Sequence, residues 1–135
     1  MIQRIQTVFL ALAFLLNLGV FFTPVYSRAI EDPQLWIGYG LATALTLSGL
    51  ISLVSIFLYG NRKRQISVVK IGALFQVIGF GFCTGVIFSL GGIGTYLFDE
   101  ALGTGLVVLV LILQILAMRS ISKDEKLVRS MDRIR

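Results

Sequence analysis

The strongest constraint on this chain is where its charges are not. Ile5–Ser27, Pro33–Asn61, Ile71–Phe98 and Ala101–Met118 contain no Asp, Glu, Lys or Arg. An α-helix rises about 1.5 Å per residue and a bilayer core is about 30 Å thick, so about 20 apolar residues cross it. Each run is long enough, the fourth with least to spare. Composition agrees: 56% of residues are hydrophobic and 14% charged, against about 45–50% and about 25% in soluble domains. The expected fold is an all-α membrane protein, four transmembrane helices in an antiparallel bundle. Its spans are expected at about 5–26, 34–59, 67–90 and 100–119.

The charges that remain set an expected orientation. Lys and Arg gather on the cytoplasmic side of short loops. Arg4 precedes the first run; Arg62, Lys63, Arg64 and Lys70 lie between the second and third; Arg119, Lys123, Lys126, Arg129, Arg133 and Arg135 follow the fourth. With an even number of spans, these eleven of the twelve basic residues share one side and only Arg28 lies opposite. Both termini are therefore expected in the cytoplasm. The net charge of +5 reads as membrane topology, not as nucleic-acid binding. The first run is longer than the apolar core of a signal peptide, and Arg28 interrupts the nearest small-x-small site, so cleavage is not expected.

The turns are consistent with this order. Asp32-Pro33 suits a helix start, with Asp as N-cap and Pro at the first helical position. Asp99-Glu100 puts negative charge at the start of the fourth helix, where the macrodipole favours it. Glu31, Asp32, Asp99 and Glu100 could in principle meet as an outer acidic cluster holding a divalent cation, but capping accounts for them better.

Within the spans, small and polar residues are the ones that bring helices together, because lipid provides no hydrophobic drive between them. Gly40, Ala44, Ser48 and Ser52 recur every fourth residue on one helical face, and Gly81-x-x-x-Gly85 forms a second small stripe. Packing within the chain is the plainer account; docking of a partner's helix is the alternative. Asn17, Gln76 and Gln114 are the strongest polar side chains in the spans and are expected to point inward. Counted from the span limits, Gln76 and Gln114 fall at similar depth, near Ser52 and Ser55. Away from their end turns, where Lys70, Glu100 and Arg119 fall, the spans hold no ionisable Asp, Glu, Lys or Arg, the groups that mark proton relays and ion pathways.

Chemistry is thin. The chain has no histidine and one cysteine, Cys83, so an internal disulfide is ruled out and the commonest metal ligand and general base is missing. No phosphate-binding loop, metal-ligand spacing or nucleophile–base set is found. No cofactor, no metal and no catalytic residue is expected.

The charged end, Ser122–Arg135, is not a featureless tail. Ser122-Lys-Asp-Glu125 matches the capping box that starts helices, and Leu127, Val128, Met131 and Ile134 then share a face. A short cytoplasmic amphipathic helix over 122–135 is expected, separate from the membrane domain at 1–121. Glu125–Arg129 is a favourable i,i+4 pair. Glu125, Leu127, Val128, Arg129, Met131 and Arg133 are the candidate interaction residues, facing either an anionic leaflet or a protein.

"MIQRIQT" at Met1–Thr7 and "KDEKLVRSMDRIR" at Lys123–Arg135 resemble a family of small four-span inner-membrane proteins of Bacteroidetes, catalogued as domain of unknown function 4293. The resemblance spans the whole chain, with its specific part at the two ends. Met131 and Ile134 depart mildly from the family pattern. The resemblance implies no activity and carries over no catalytic residue; it implies that the cytoplasmic ends do more than anchor.

The expected function is a non-enzymatic accessory or scaffold subunit of the inner membrane, engaging a membrane or cytoplasmic protein through its cytoplasmic ends. The alternative is a small transporter or channel-like protein, which would need a homo-oligomer because four short helices leave little room for a pore. An enzyme ranks third.

Overall fold

A computed structural model describes residues 2–23, 26, 35–58, 60–89 and 98–134, with the side chains at 2–4, 35, 89, 98–100 and 134 excepted. Among the described residues the chain is all-helical: α1 Ile2–Val20, α2 Leu35–Phe57, α3 Arg62–Ser89 and α4 Phe98–Ile134. Each helix packs on its neighbours in the chain, and α1 also packs on α4, which closes the set. Three stretches are long and apolar enough to cross a membrane: Trp36–Phe57, Arg62–Phe88 and Ala101–Arg133. The apolar helical stretch of α1, Ile5–Val20, is shorter.

The expected first span reached about residue 26, but α1 ends at Val20. Phe21, Phe22 and Thr23 then donate to the carbonyls of Leu18, Gly19 and Val20, three residues back, a tighter turn than the α-helix makes. At the other end of the molecule, Asn61 starts α3. Its Oδ1 accepts from Arg64 N–H at 3.3 Å, and its carbonyl accepts from Gln65 N–H at 2.9 Å. That is an N-cap, and it places the helix start at Arg62, ahead of the expected span limit. The Asp32-Pro33 cap and the outer acidic cluster lie outside the described side chains.

The spacing of buried positions explains how the helices fit. In α1 they are Gln6, Leu10, Ala13, Asn17 and Val20; in α4 they are Gly103, Val107, Val110, Gln114, Ala117, Ile121 and Asp124. Steps of four and three alternate throughout. α3 has the same series through Gln65, Val69, Gly72, Gln76, Gly79, Cys83 and Val86, and α2 through Leu41, Leu45, Ser48, Ser52 and Ser55. A mean step of about 3.5 residues is the seam of helices packed knobs-into-holes at a shallow angle.

The polarity across this seam is inverted relative to a soluble bundle. Gln76, Gln114 and Ser48 are fully buried, while Leu15, Leu74, Phe57 and Phe88 are 60%, 60%, 75% and 74% exposed. Water would penalise that outer surface; hydrocarbon would not.

The charged end differs from expectation. α4 is one helix of 37 residues running through Ser122 to Ile134. A capping box works only where backbone N–H groups lack helical partners. No Gly or Pro occurs between residues 106 and 134, so nothing frees those groups at Ser122. No separate tail helix begins there.

Candidate functional site

The interior holds a ladder of uncharged polar side chains. Asn17 Nδ2 donates to Gln76 Oε1 at 3.1 Å and to Leu45 O at 3.2 Å. Gln76 Nε2 donates to Asn17 Oδ1 at 3.4 Å and to Val107 O at 3.1 Å. One residue from each helix is thereby joined, and the amide pair spans the diagonal from α1 to α3.

A second rung crosses the other diagonal. Gln114 Nε2 on α4 donates to Ser48 Oγ at 3.0 Å and to Ser52 Oγ at 2.9 Å on α2. Ser48 Oγ donates onward to Gly72 O on α3 at 2.9 Å, and Ser52 Oγ to Ser48 O at 3.0 Å. Gln114 Oε1 is buried with no partner among the described residues. Further along, Gln65 Nε2 donates to Ser55 O at 2.9 Å, and Gln6 Nε2 donates to the buried Asp124 Oδ2 at 2.6 Å. Buried amides at seam positions select register and pairing more than they add stability.

Asn17, Gln76 and Gln114 therefore all face inward, but not as one group. Gln76 meets Val107, and Gln114 lies seven residues beyond Val107, about 10 Å along the axis at 1.5 Å per residue. The similar depth read from the sequence is corrected by this offset. Gln6, Gln65 and Asp124 belong to the ladder and were missed in the sequence. Their signal was the four-three spacing with Leu10, Val69 and Ile121.

The small residues divide. Gly40 is where Phe82 comes closest: a Cβ there would lie 2.5 Å from Phe82 Cζ. Ala44, Ser48 and Ser52 are buried. Gly81 and Gly85 are exposed, with nothing within 4 Å of a Cβ placed on either. The close approach on α3 is instead at Gly79, where a Cβ would lie 2.8 Å from Leu45 Cδ2. Among the described residues Gly81 and Gly85 meet no other helix, because the face of α3 that packs on α2 carries Gly79, against Leu45, and Phe82, against Gly40.

A groove of about 150 Å³ opens sideways between α1 and α2, lined by Phe14, Asn17, Phe21, Leu45 and Gly49 among others. Asn17 spends both its donors elsewhere, so the groove offers a ligand little beyond apolar wall. Among the described residues no cluster of Cys, Asp or Glu could hold a metal.

At the far end of α4 the surface changes character. Residues 126–133 are all exposed. Leu127, Val128 and Met131, expected to share a face turned to a leaflet or a protein, are 46%, 40% and 68% exposed in the single chain. Glu125 pairs with Arg129 at 3.1 Å, and Arg133 is exposed in the last turn. The chain matches, over residues 2–134, the family described as Domain of unknown function (DUF4293).

It belongs to that family.

No curated protein and no solved structure matches the chain. The DUF4293 match takes in the ladder and the α4 overhang alike, so both lie inside the family's unit.

Proposed function

We propose that this DUF4293 chain is a non-enzymatic accessory or scaffold subunit of the bacterial inner membrane, an antiparallel four-helix bundle with both termini in the cytoplasm. The pairs Ser48–Gly72 and Ser55–Gln65 run in opposite senses along α2 and α3, as do Asn17–Val107, joined through Gln76, and Gln6–Asp124 along α1 and α4. Those pairings support the antiparallel order. The eleven-to-one placement of Lys and Arg supports the orientation.

The observation that carries the function is the α4 overhang. Its 37 residues extend about 55 Å at 1.5 Å per residue, past a bilayer about 40–45 Å thick with its headgroups. A charged helix held rigidly clear of the membrane is poorly placed to anchor and well placed to be gripped. Among the described residues the buried polar side chains are amides, hydroxyls and one carboxylate bonded to an amide, beside the Cys83 thiol, and the sequence has no histidine; that set favours the non-enzymatic reading.

Mild detergent extraction followed by copurification tests this. A stoichiometric partner lost on Val128→Asp is expected. A partner set unchanged by Val128→Asp overturns the reading. The second reading, an oligomeric transporter, rests on Gln114 Oε1, buried without a hydrogen-bond partner among the described residues; a homo-oligomer with a polar lumen would favour it.

A further inference from the structure

Exposed cations flank the seam between α3 and α4. Val69 of α3 lies in one buried cluster with Ala117 and Ile121 of α4, and Ile66 and Met118 pack against it. Lys63 and Lys70 bracket Ile66 at three and four residues, on its face of the helix. Arg119 and Lys126 bracket Ser122 in the same way, and Ser122 is one turn from Met118. All four cations are exposed. The helices run in opposite senses here, since Gln76 bonds to Val107 while Val69 joins Ala117 and Ile121. Lys70 follows Val69, and Arg119 falls between Ala117 and Ile121, so these two stand at one level. Each pair is seven residues apart, which puts Lys63 and Lys126 about 10 Å farther along, at 1.5 Å per residue.

Membrane orientation asks only that cations lie on the cytoplasmic side. It does not ask them to line one seam without anions. Among the described residues none of the four has a carboxylate partner. The acids nearest in sequence are engaged elsewhere: Asp124 is buried on Gln6, and Glu125 holds Arg129. Away from the charged end the same surface turns apolar. On α3, Leu74, Val77, Gly81 and Gly85 follow Lys70 in steps of three and four, and all are exposed. On α4, Ile115 and Ile112 precede Arg119 by four and seven residues and are exposed too. No neighbour lies within 4 Å of a Cβ placed on Gly81 or Gly85, so the far end of this surface is open and flat.

We infer that this seam binds an anionic phospholipid, its phosphate held between Lys70 and Arg119 and its acyl chains laid along α3 and α4 toward Gly81. Charge selects an anion, and the surface beyond it selects the source. A free phosphate would use the cations and leave the apolar stripe idle. A lipid uses both, in the order in which the surface presents them. Basic pockets between helices on the cytoplasmic side of a membrane suit such headgroups, and the Arg119 guanidinium can hold two phosphate oxygens at once. Lys63 and Lys126 stand farther from that phosphate than the screening length of about 8 Å in physiological salt, so they contribute less. The inference shares the inner-membrane placement with the accessory reading and is independent of the accessory role. Copurification with Val128→Asp tests that role separately, since no variant of this seam changes Val128.

Native mass spectrometry of the full chain in detergent, titrated with phosphatidylglycerol or with phosphatidylcholine, reads bound lipid directly. Both lipids carry a phosphate and two chains, but only the first has a net negative charge. Tighter binding of phosphatidylglycerol is expected. Lys70→Gln with Arg119→Gln should weaken it about thirtyfold, the loss expected of two cations at a lipid surface. The positions are exposed, so the fold is left alone, and Lys70→Arg with Arg119→Lys should retain binding. The control removes as much charge elsewhere, through Arg64→Gln with Arg133→Gln. Arg64 is two residues from Ile66 and so off its face, and Arg133 lies about 21 Å beyond Arg119 along the helix. The control pair should keep most of the affinity. Equal loss in the two pairs would reduce the effect to a count of charges and overturn the inference. So would equal binding of the two lipids. Displacement of phosphatidylglycerol by an equal concentration of inorganic phosphate would make a soluble anion the ligand and overturn it as well.

Discussion

Asn17 and Gln76 exchange hydrogen bonds across the bundle, Nδ2 to Oε1 at 3.1 Å and Nε2 to Oδ1 at 3.4 Å. Removing one partner leaves the other amide its backbone bond, Asn17 to Leu45 O or Gln76 to Val107 O, but strands its buried oxygen, and burying an unpaired polar atom is the costly case. Gln76→Leu should therefore destabilise the fold by about 1–3 kcal/mol. Adding Asn17→Leu should recover part of that loss, because the pair is then replaced by apolar surface. Reversible unfolding in mixed micelles measures both. A double variant less stable than the sum of the singles would contradict the pairing.

The glycines of α3 should behave oppositely although they are two residues apart. A Cβ on Gly79 would come within 2.8 Å of the buried Leu45, whereas one on Gly81 meets nothing within 4 Å. Gly79→Ala should cost about 1–3 kcal/mol through overpacking. Gly81→Ala should be neutral or gain up to about 1 kcal/mol from helix propensity. The same unfolding measurement compares them, and equal effects would mean that the helix faces are assigned wrongly.

Ser48 is fully buried between Gln114 and the carbonyl of Gly72. Ser48→Leu adds volume where two helices already touch and should cost about 1–3 kcal/mol. Ser48→Ala removes the bridge without the crowding and should cost less. A Leu variant as stable as the Ala variant would show that the seam can open.

The orientation is checked by labelling. In a Cys83→Ala background, a cysteine at Ser130 should resist an impermeant maleimide in intact cells and react after permeabilisation. Labelling before permeabilisation would reverse the proposed topology.

The inward direction of Asn17, Gln76 and Gln114 was legible in the sequence because a primary amide in hydrocarbon has few alternatives to turning inward. Their partners were not legible. Depth was counted from the edges of uncharged runs, but α3 begins at Arg62, set by the Asn61 cap and not by where its charges end. The small stripe of Gly81 and Gly85 misled for a different reason. Small residues mark a face that can be approached closely, and only the contacts of Leu45 with Gly79 and of Gly40 with Phe82 tell which face of α3 is approached. Ser122-x-x-Glu125 had the chemistry of a helix start without its precondition, a free turn of backbone. The four-three spacing was present in the sequence from Gln6 onward, hidden because its members include Gln, Asn, Ser, Gly and Asp and not only aliphatic residues.

The unbroken course of α4 gives the molecule a mechanical character. From Leu106 to Ile134 the helix contains no Pro and no Gly, the residues at which helices commonly kink. Met131 and Gln114 therefore sit on one unbroken helix, with the buried Asp124 bonded to Gln6 between them. A load on the exposed end is met first at that bond to α1, and only then at the rung of Gln114, Ser48 and Ser52 that joins α4 to α2.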